Sequence, residues 1–145
     1  DIRYWYLTNL GSWAEVYGIL TAAKEGVADQ MKNHALKIIE LDPMYENGGG
    51  YFMLGAVHYK TPYIPFLLSW PENKEAVVLL EKALNTGEAT TVQKVYLSQA
   101  IYKEKEKKRA LKLLNGVANM TPDTKDPVSD WEQIKKAQSL LKDYK

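Results

Sequence analysis

The sequence predicts an all-α fold in which antiparallel helix pairs stack in a right-handed superhelix closed by a C-terminal capping helix. Three observations carry this expectation. Ala76, Leu80 and Ala83 recur as Ala110, Leu114 and Val117, each 34 residues on, a period that fits a helix-turn-helix unit. Their upstream partners Leu54 and Gly55 recur as Leu97 and Ser98, but 43 residues on, so the first copy holds nine extra residues between its helices. The extra length coincides with a run containing three prolines, Thr61 to Pro71, which cannot be helical throughout.

The first ten residues are dense in aromatics. Ile2, Tyr4, Trp5, Tyr6, Leu7 and Leu10 predict a short helix over 2–10 ending at Gly11, a residue suited to a C-terminal cap. Ser12 with Glu15 then reads as a capping box, starting a new helix at Trp13. Its apolar residues Trp13, Val16, Tyr17, Leu20 and Ala23 keep helical spacing until Gly26. Val27, Met31, Ala35, Ile38 and Leu41 continue on one face of the next helix, which stops before Asp42 and Pro43. These helices form a degenerate first repeat over 12–45.

Gly48, Gly49 and Gly50 admit two readings. Consecutive backbone N–H groups at a helix start attract anions, but no Lys-Ser/Thr follows and no strand precedes. A flexible linker that lets the next helix pack closely is therefore favoured. Tyr51 to Lys60 follows as a helix in which Leu54 packs inward and Gly55 admits the partner helix, with Ala76 and Ala83 as matching small surfaces.

The 61–71 insertion holds Tyr63, Ile64, Phe66, Leu67, Leu68 and Trp70, too apolar for an ordinary solvated loop. Either it folds back over its own helix pair or it forms a subunit contact or ligand wall. Glu72 to Leu84 resumes as helix and stops at Asn85, Thr86 and Gly87, completing a repeat over 50–88. Thr90 or Thr91 caps the next helix, to about Lys103. Lys103 to Arg109 falls at the expected turn, and its two glutamates weaken any case for nucleic acid. Ala110 to Asn119 closes the repeat over 90–122, with Gly116 an isolated weak point. After a linker from Pro122, Asp126 and Pro127 open a capping helix over 126–145, with Trp131, Ile134, Ala137, Leu140, Leu141 and Tyr144 on one face.

One domain over 1–145 is expected at this length. With 19 Lys and Arg against 18 Asp and Glu, nothing favours a polyanionic partner. The absence of cysteine excludes disulfide frameworks and thiol nucleophiles but identifies no compartment. No apolar run approaches the roughly 18 residues that span a bilayer. The opening Asp1 points to a processed or trimmed terminus, from which a signal or lipid anchor could have been removed.

No catalytic centre, metal set or cofactor motif is visible. His34 and His58 lack a second histidine at i+4 and a flagged nucleophile, so both read as packed or surface residues. Glu40, Asp42 and Glu46 are close in sequence but lie at a helix end and turn, where carboxylates stay solvated. Function is instead expected on the concave face built by the first helices. Phe52 and Tyr59 in one repeat and Val95 and Tyr102 in the next are placed there, joined by Gln99 and His58. Tyr59 and Tyr102 are 43 apart, like the core positions, and either share a wall or pack between layers. Phe66, Leu67 and Trp70 of the insertion complete the candidate binding residues, for a protein or a hydrophobic small ligand.

The period itself is similar to that of tetratricopeptide arrays. Tyr4-Trp5, Gly11-Ser12-Trp13, Leu41-Asp42-Pro43 followed by Gly48-Gly49-Gly50, Leu54-Gly55 and the proline-rich insertion before Lys74 to Leu84 together resemble one family. It is the T component associated with bacterial TRAP (tripartite ATP-independent periplasmic) transporters. Trp70-Pro71-Glu72-Asn73 stands where that family often has Gly-Gly-Asp or Gly-Gly-Ser. The resemblance implies a lipid-anchored periplasmic protein that can form a trimer, with an apolar cavity and a solute-binding protein as partner. Without it, the same repeats describe a cytoplasmic adaptor that binds an extended peptide.

Overall fold

A computed structural model describes residues 2–123 and 125–144. Asp1, Thr124 and Lys145, at the expected domain ends and inside the expected linker, lie outside the described residues. The fold is all-α, with eight helices among the described residues: α1 (Ile2–Tyr17), α2 (Ile19–Lys24), α3 (Val27–Leu41), α4 (Tyr45–Lys60), α5 (Asn73–Leu84), α6 (Thr91–Lys103), α7 (Lys107–Ala118) and α8 (Pro127–Asp143). Where the sequence predicts one domain, contacts group the chain into two compact units, Asp1–Glu88 and Ala89–Lys145.

The repeated positions behave alike in both units. Ala76, Leu80 and Ala83 on α5 are wholly buried, as are Ala110, Leu114 and Val117 on α7. Leu54 and Leu97 are buried on the first helix of each pair. Gly55 is there for contact: a Cβ added to it would sit 2.8 Å from Leu80 Cγ and 3.2 Å from the Leu80 backbone nitrogen. Any side chain at that point would force α4 and α5 apart.

The N-terminal elements depart from expectation. Gly11 does not end a helix, and Ser12 does not cap one: its hydroxyl donates back to the Thr8 carbonyl at 3.0 Å inside a continuous α1. The break falls seven residues later, where Gly18 takes φ +91°, ψ 145°, a conformation that only glycine adopts cheaply. The resulting α1–α2 elbow leaves Val16, Tyr17 and Leu20 exposed, although their spacing predicts a buried face, and Ile19 is exposed beside them. Gly26, in the left-handed region, then starts α3 as expected.

The triple glycine is neither linker nor phosphate cradle. Glu46, Asn47 and Gly48 are all left-handed, and the kink they make drives the buried Gly48, Gly49 and Gly50 into three neighbours. Added Cβ atoms would sit 2.9 Å from Thr86 Cβ, 2.5 Å from the Tyr4 ring and 2.8 Å from Ile39 Cγ1, respectively. These touch α1, α3 and the turn after α5, so the three glycines are where the chain packs closely against all three. Asn47 Oδ1 accepts the Glu88 N–H at 3.0 Å and ties that turn to the kink. Burial, with Glu46 and Tyr45 nearby, holds the Tyr4 phenol above its usual pKa.

In the second unit Thr90 and Gln93 form a full capping box before α6. The α6–α7 turn is shorter than the charged run predicts, since Lys107 to Arg109 already belong to α7. It is a Schellman closure: Glu106 N–H reaches the Ile101 carbonyl at 3.3 Å and Lys105 N–H the Tyr102 carbonyl at 2.9 Å, with Lys105 at φ +67° where glycine is usual. Asp126 caps α8 through Ser129 N–H, and Pro127 occupies the first turn. Ile134 and Ala137 of α8 cover Val95, Leu114 and Val117. Trp131, expected on that covering face, is exposed instead.

Candidate functional site

The 61–71 loop folds back over more than its own helix pair, and it leaves part of its apolar surface exposed. Ile64 and Leu68 pair as an antiparallel bridge, each N–H donating to the other's carbonyl at 2.8 Å. Leu68, 3 % exposed, joins Ala23, Ala28 and Val57 in a small core packed by Ile64, Met31 and Trp70. Half of the insertion is therefore folded back onto α2, α3 and α4. Tyr63, Phe66 and Leu67 are turned to the outside.

The turn that does this is built around Pro65 and Phe66. Leu67 N–H donates to the Ile64 carbonyl at 3.2 Å, closing a four-residue turn with proline at its second position. Phe66 at the third position has φ +64°, which such turns normally reserve for glycine or asparagine. A bulky aromatic held there is strained by about 1–3 kcal/mol, and strain of this kind gathers at functional sites. Phe66 is the most exposed large apolar residue described, at 109 % of the reference value.

At the other end of the loop the chain is held firmly. The Trp70 indole N–H donates to Asp29 Oδ1 at 2.7 Å, the Lys32 ammonium lies 4.4 Å from the Trp70 ring centroid, and His58 packs edge-on against the same ring at 4.9 Å. His58 is only 8 % exposed, and its Nδ1 accepts the Glu72 N–H at 3.1 Å. Burial lowers its pKa below the ordinary histidine value; Glu75 pulls the other way and Lys32 adds to the depression. His58 is thus a structural residue, and it is not on an open wall.

The α1–α2 elbow lies beside the loop's root. Lys60 Nζ meets Glu15 Oε1 at 3.5 Å, and Ala23 of α2 shares the small core of Leu68. Tyr17, Ile19 and Leu20 of the elbow are exposed, as are Tyr63, Phe66 and Leu67 of the loop. The elbow escaped sequence reasoning because its residues fit a buried stripe. The only signal was Gly18, which interrupts that stripe.

The remaining expected residues divide between the units. Phe52 and Tyr59 are half-buried on α4, with the Tyr59 phenol raised above its usual pKa by burial. In the second unit Val95 is wholly buried in the core beneath α8, and cannot line a groove. Gln99 is buried as well, its amide donating to the Val95 carbonyl at 3.3 Å. The offset from Leu97 that placed Val95 outside fails because Ile134 and Ala137 of α8 cover it. Tyr102 is half-buried and stacked flat on Tyr144 of α8, ring centroids 3.5 Å apart. Tyr59 and Tyr102 belong to different units.

His34 is an edge partner of Tyr6 at 5.1 Å. Among the described residues no three of His, Cys, Asp and Glu come together so as to hold a metal ion. No described helix is long and apolar enough to cross a membrane. No protein-family model matches the chain, and no curated protein matches it in sequence.

Proposed function

We propose that the protein is a non-catalytic interaction module, and that its recognition element is the apolar end of the first unit, centred on Phe66. The observation that carries this reading is a bulky aromatic held fully exposed at positive φ, on a loop whose other half is firmly packed. A sequence selected for stability alone would place glycine there and turn the phenylalanine inward. An exposed aromatic on a rigid mount is the kind of side chain that anchors an interface, because little rotamer freedom is lost when it docks.

The setting we propose is the one the sequence resemblance implies: an accessory component of a bacterial periplasmic solute transport system of the TRAP type. Its partner would be a solute-binding protein or a hydrophobic ligand. This setting rests on the resemblance, and the docking role rests on the loop. A peptide groove through Val95 and Gln99 is not carried forward, since both are buried.

Native mass spectrometry of the protein purified from its natural host tests the docking role. The wild-type chain is expected to carry a protein, a ligand or a second copy of itself, and Phe66→Ser to lose that companion while its helical circular dichroism is unchanged. A bare monomer at micromolar concentration, or equal retention by Phe66→Ser, would sink the proposal.

A further inference from the structure

We propose that His58 is a proton-operated clamp on the 61–71 loop, whose protonation releases the foot of the loop at Trp70. A neutral imidazole has one nitrogen that accepts and one that donates. Here Nδ1 accepts the Glu72 N–H at 3.1 Å, so the ring proton resides on Nε2. A second proton on Nδ1 would turn that contact into two donors facing each other. One of them must move away.

The surroundings decide which parts move together. The charged groups acting on the ring come from two elements besides its own, Lys32 on α3 and Glu72 and Glu75 at the start of α5, while Asp29 on α3 holds the neighbouring Trp70 indole. Lys32 sits over the Trp70 ring, and His58 meets that ring edge-on, so an imidazolium there places a second cation against the same indole. The ring is nearly inaccessible, and water cannot take over the solvation of the new charge without displacing Trp70. Glu72 follows Trp70 and Pro71 directly in the chain, so losing its N–H bond and losing the Trp70 contact loosen the same end of the loop.

The sign follows from the depressed pKa. The folded ring stays neutral at pH values where an unfolded-chain histidine, with a pKa of about 6.5, already binds a proton. The clamp's contribution is therefore fully present above that pH, and it is lost as pH falls from there toward the lower folded value. Mildly acidic conditions open the foot of the loop. The effect on docking rests on the function proposed above, whereas the clamp itself does not.

The test is a pH titration by NMR from about 7.5 to 5, following the His58 ring protons, the Trp70 indole N–H and hydrogen exchange of the amides of residues 63–70. Two variants separate the carboxylate from the imidazole. His58→Asn keeps an acceptor where Nδ1 stands and cannot titrate in this range, and Asp29→Asn keeps an acceptor for the indole. In the wild type, the Trp70 signal and loop exchange should change with the His58 midpoint. A one-unit difference in His58 pKa between clamped and open loops corresponds to about a tenfold change in the open population. The transition should survive in Asp29→Asn and vanish in His58→Asn. A loop that stays fixed while His58 titrates would overturn the clamp, as would a transition retained by His58→Asn or abolished by Asp29→Asn. Should His58→Asn fold poorly, mismatched midpoints for His58 and Trp70 in the wild type give the same refutation. A clamp that works in a protein that binds nothing through Phe66 would refute the proposed function alone.

Discussion

The α4–α5 and α6–α7 pairs bury the same positions and join their helices in opposite ways. Leu80 and Leu114 sit at equivalent points of two cores, each wholly buried. Between α6 and α7 the chain turns through Glu104, Lys105 and Glu106, closed by its own backbone and fully polar. Between α4 and α5 the connection carries eleven consecutive residues without a formal charge, Thr61 to Pro71, half of them packed and the tip exposed. The repeat is thus a scaffold rule, satisfied twice, and what the first pair adds to it is a loop with a packed root and an exposed tip. Loops on rigid supports are where binding residues collect. The difference between the pairs is accordingly the best guide to function in this molecule.

The largest test of the shared scaffold is to empty equivalent core positions. Leu80→Ala and Leu114→Ala should each destabilise their own unit by about 2–5 kcal/mol, and by similar amounts. Site-resolved hydrogen exchange in α5 and α7 reports the two losses separately. A cost confined to one of them would break the equivalence that the 34-residue period implies.

A finer test uses two glycines. Gly55→Ala pushes a methyl into Leu80 and should cost about 1–3 kcal/mol through overpacking. Gly116, exposed on α7 with nothing within 4 Å of an added Cβ, should behave in the opposite sense. Gly116→Ala should stabilise by about 0.5–1 kcal/mol, because alanine costs less to hold in a helix. Urea denaturation of the two variants against wild type measures both signs. Matching signs would mean that the α4–α5 crossing is looser than its distances imply.

These positions also mark how far the sequence could be read. The small residues at the α4–α5 crossing were legible because Gly55, Ala76 and Ala83 interrupt otherwise large apolar patterns at helical spacing. Gly48, Gly49 and Gly50 were not, since glycine in a row looks the same whether the chain is loose or is pressed against three helices at once. Only the identity of those neighbours tells the two apart, and they lie far off in sequence. Gly11 and Gly18 show the same ambiguity at shorter range: a continuous helical ladder carried α1 past the first, and the second took the bend. Among the candidate residues, Phe66 and Leu67 stood out because three prolines forbid helix around them, and both are exposed. Val95 was misplaced because a helical offset from Leu97 cannot reveal that α8 comes back over it.

The smallest expected effect bears most directly on the difference between the pairs. Phe66→Gly replaces an aromatic at φ +64° with the residue that this turn position favours. The side chain is fully exposed, so its removal forfeits almost no burial. Relief of backbone strain should outweigh the added freedom of the unfolded chain, for a net gain of about 1 kcal/mol. Thermal denaturation should accordingly show a rise of a few degrees. Lys105→Gly, at φ +67° in the α6–α7 turn, should gain a similar amount, since the same geometry is strained there. The two variants must then part company in the binding measurement: Lys105→Gly keeps whatever the protein carries, and Phe66→Gly loses it. Stability gained at Phe66 with no loss of any bound companion would show that the exposed ring serves no contact, and would leave the connection of the first pair with its packing role alone.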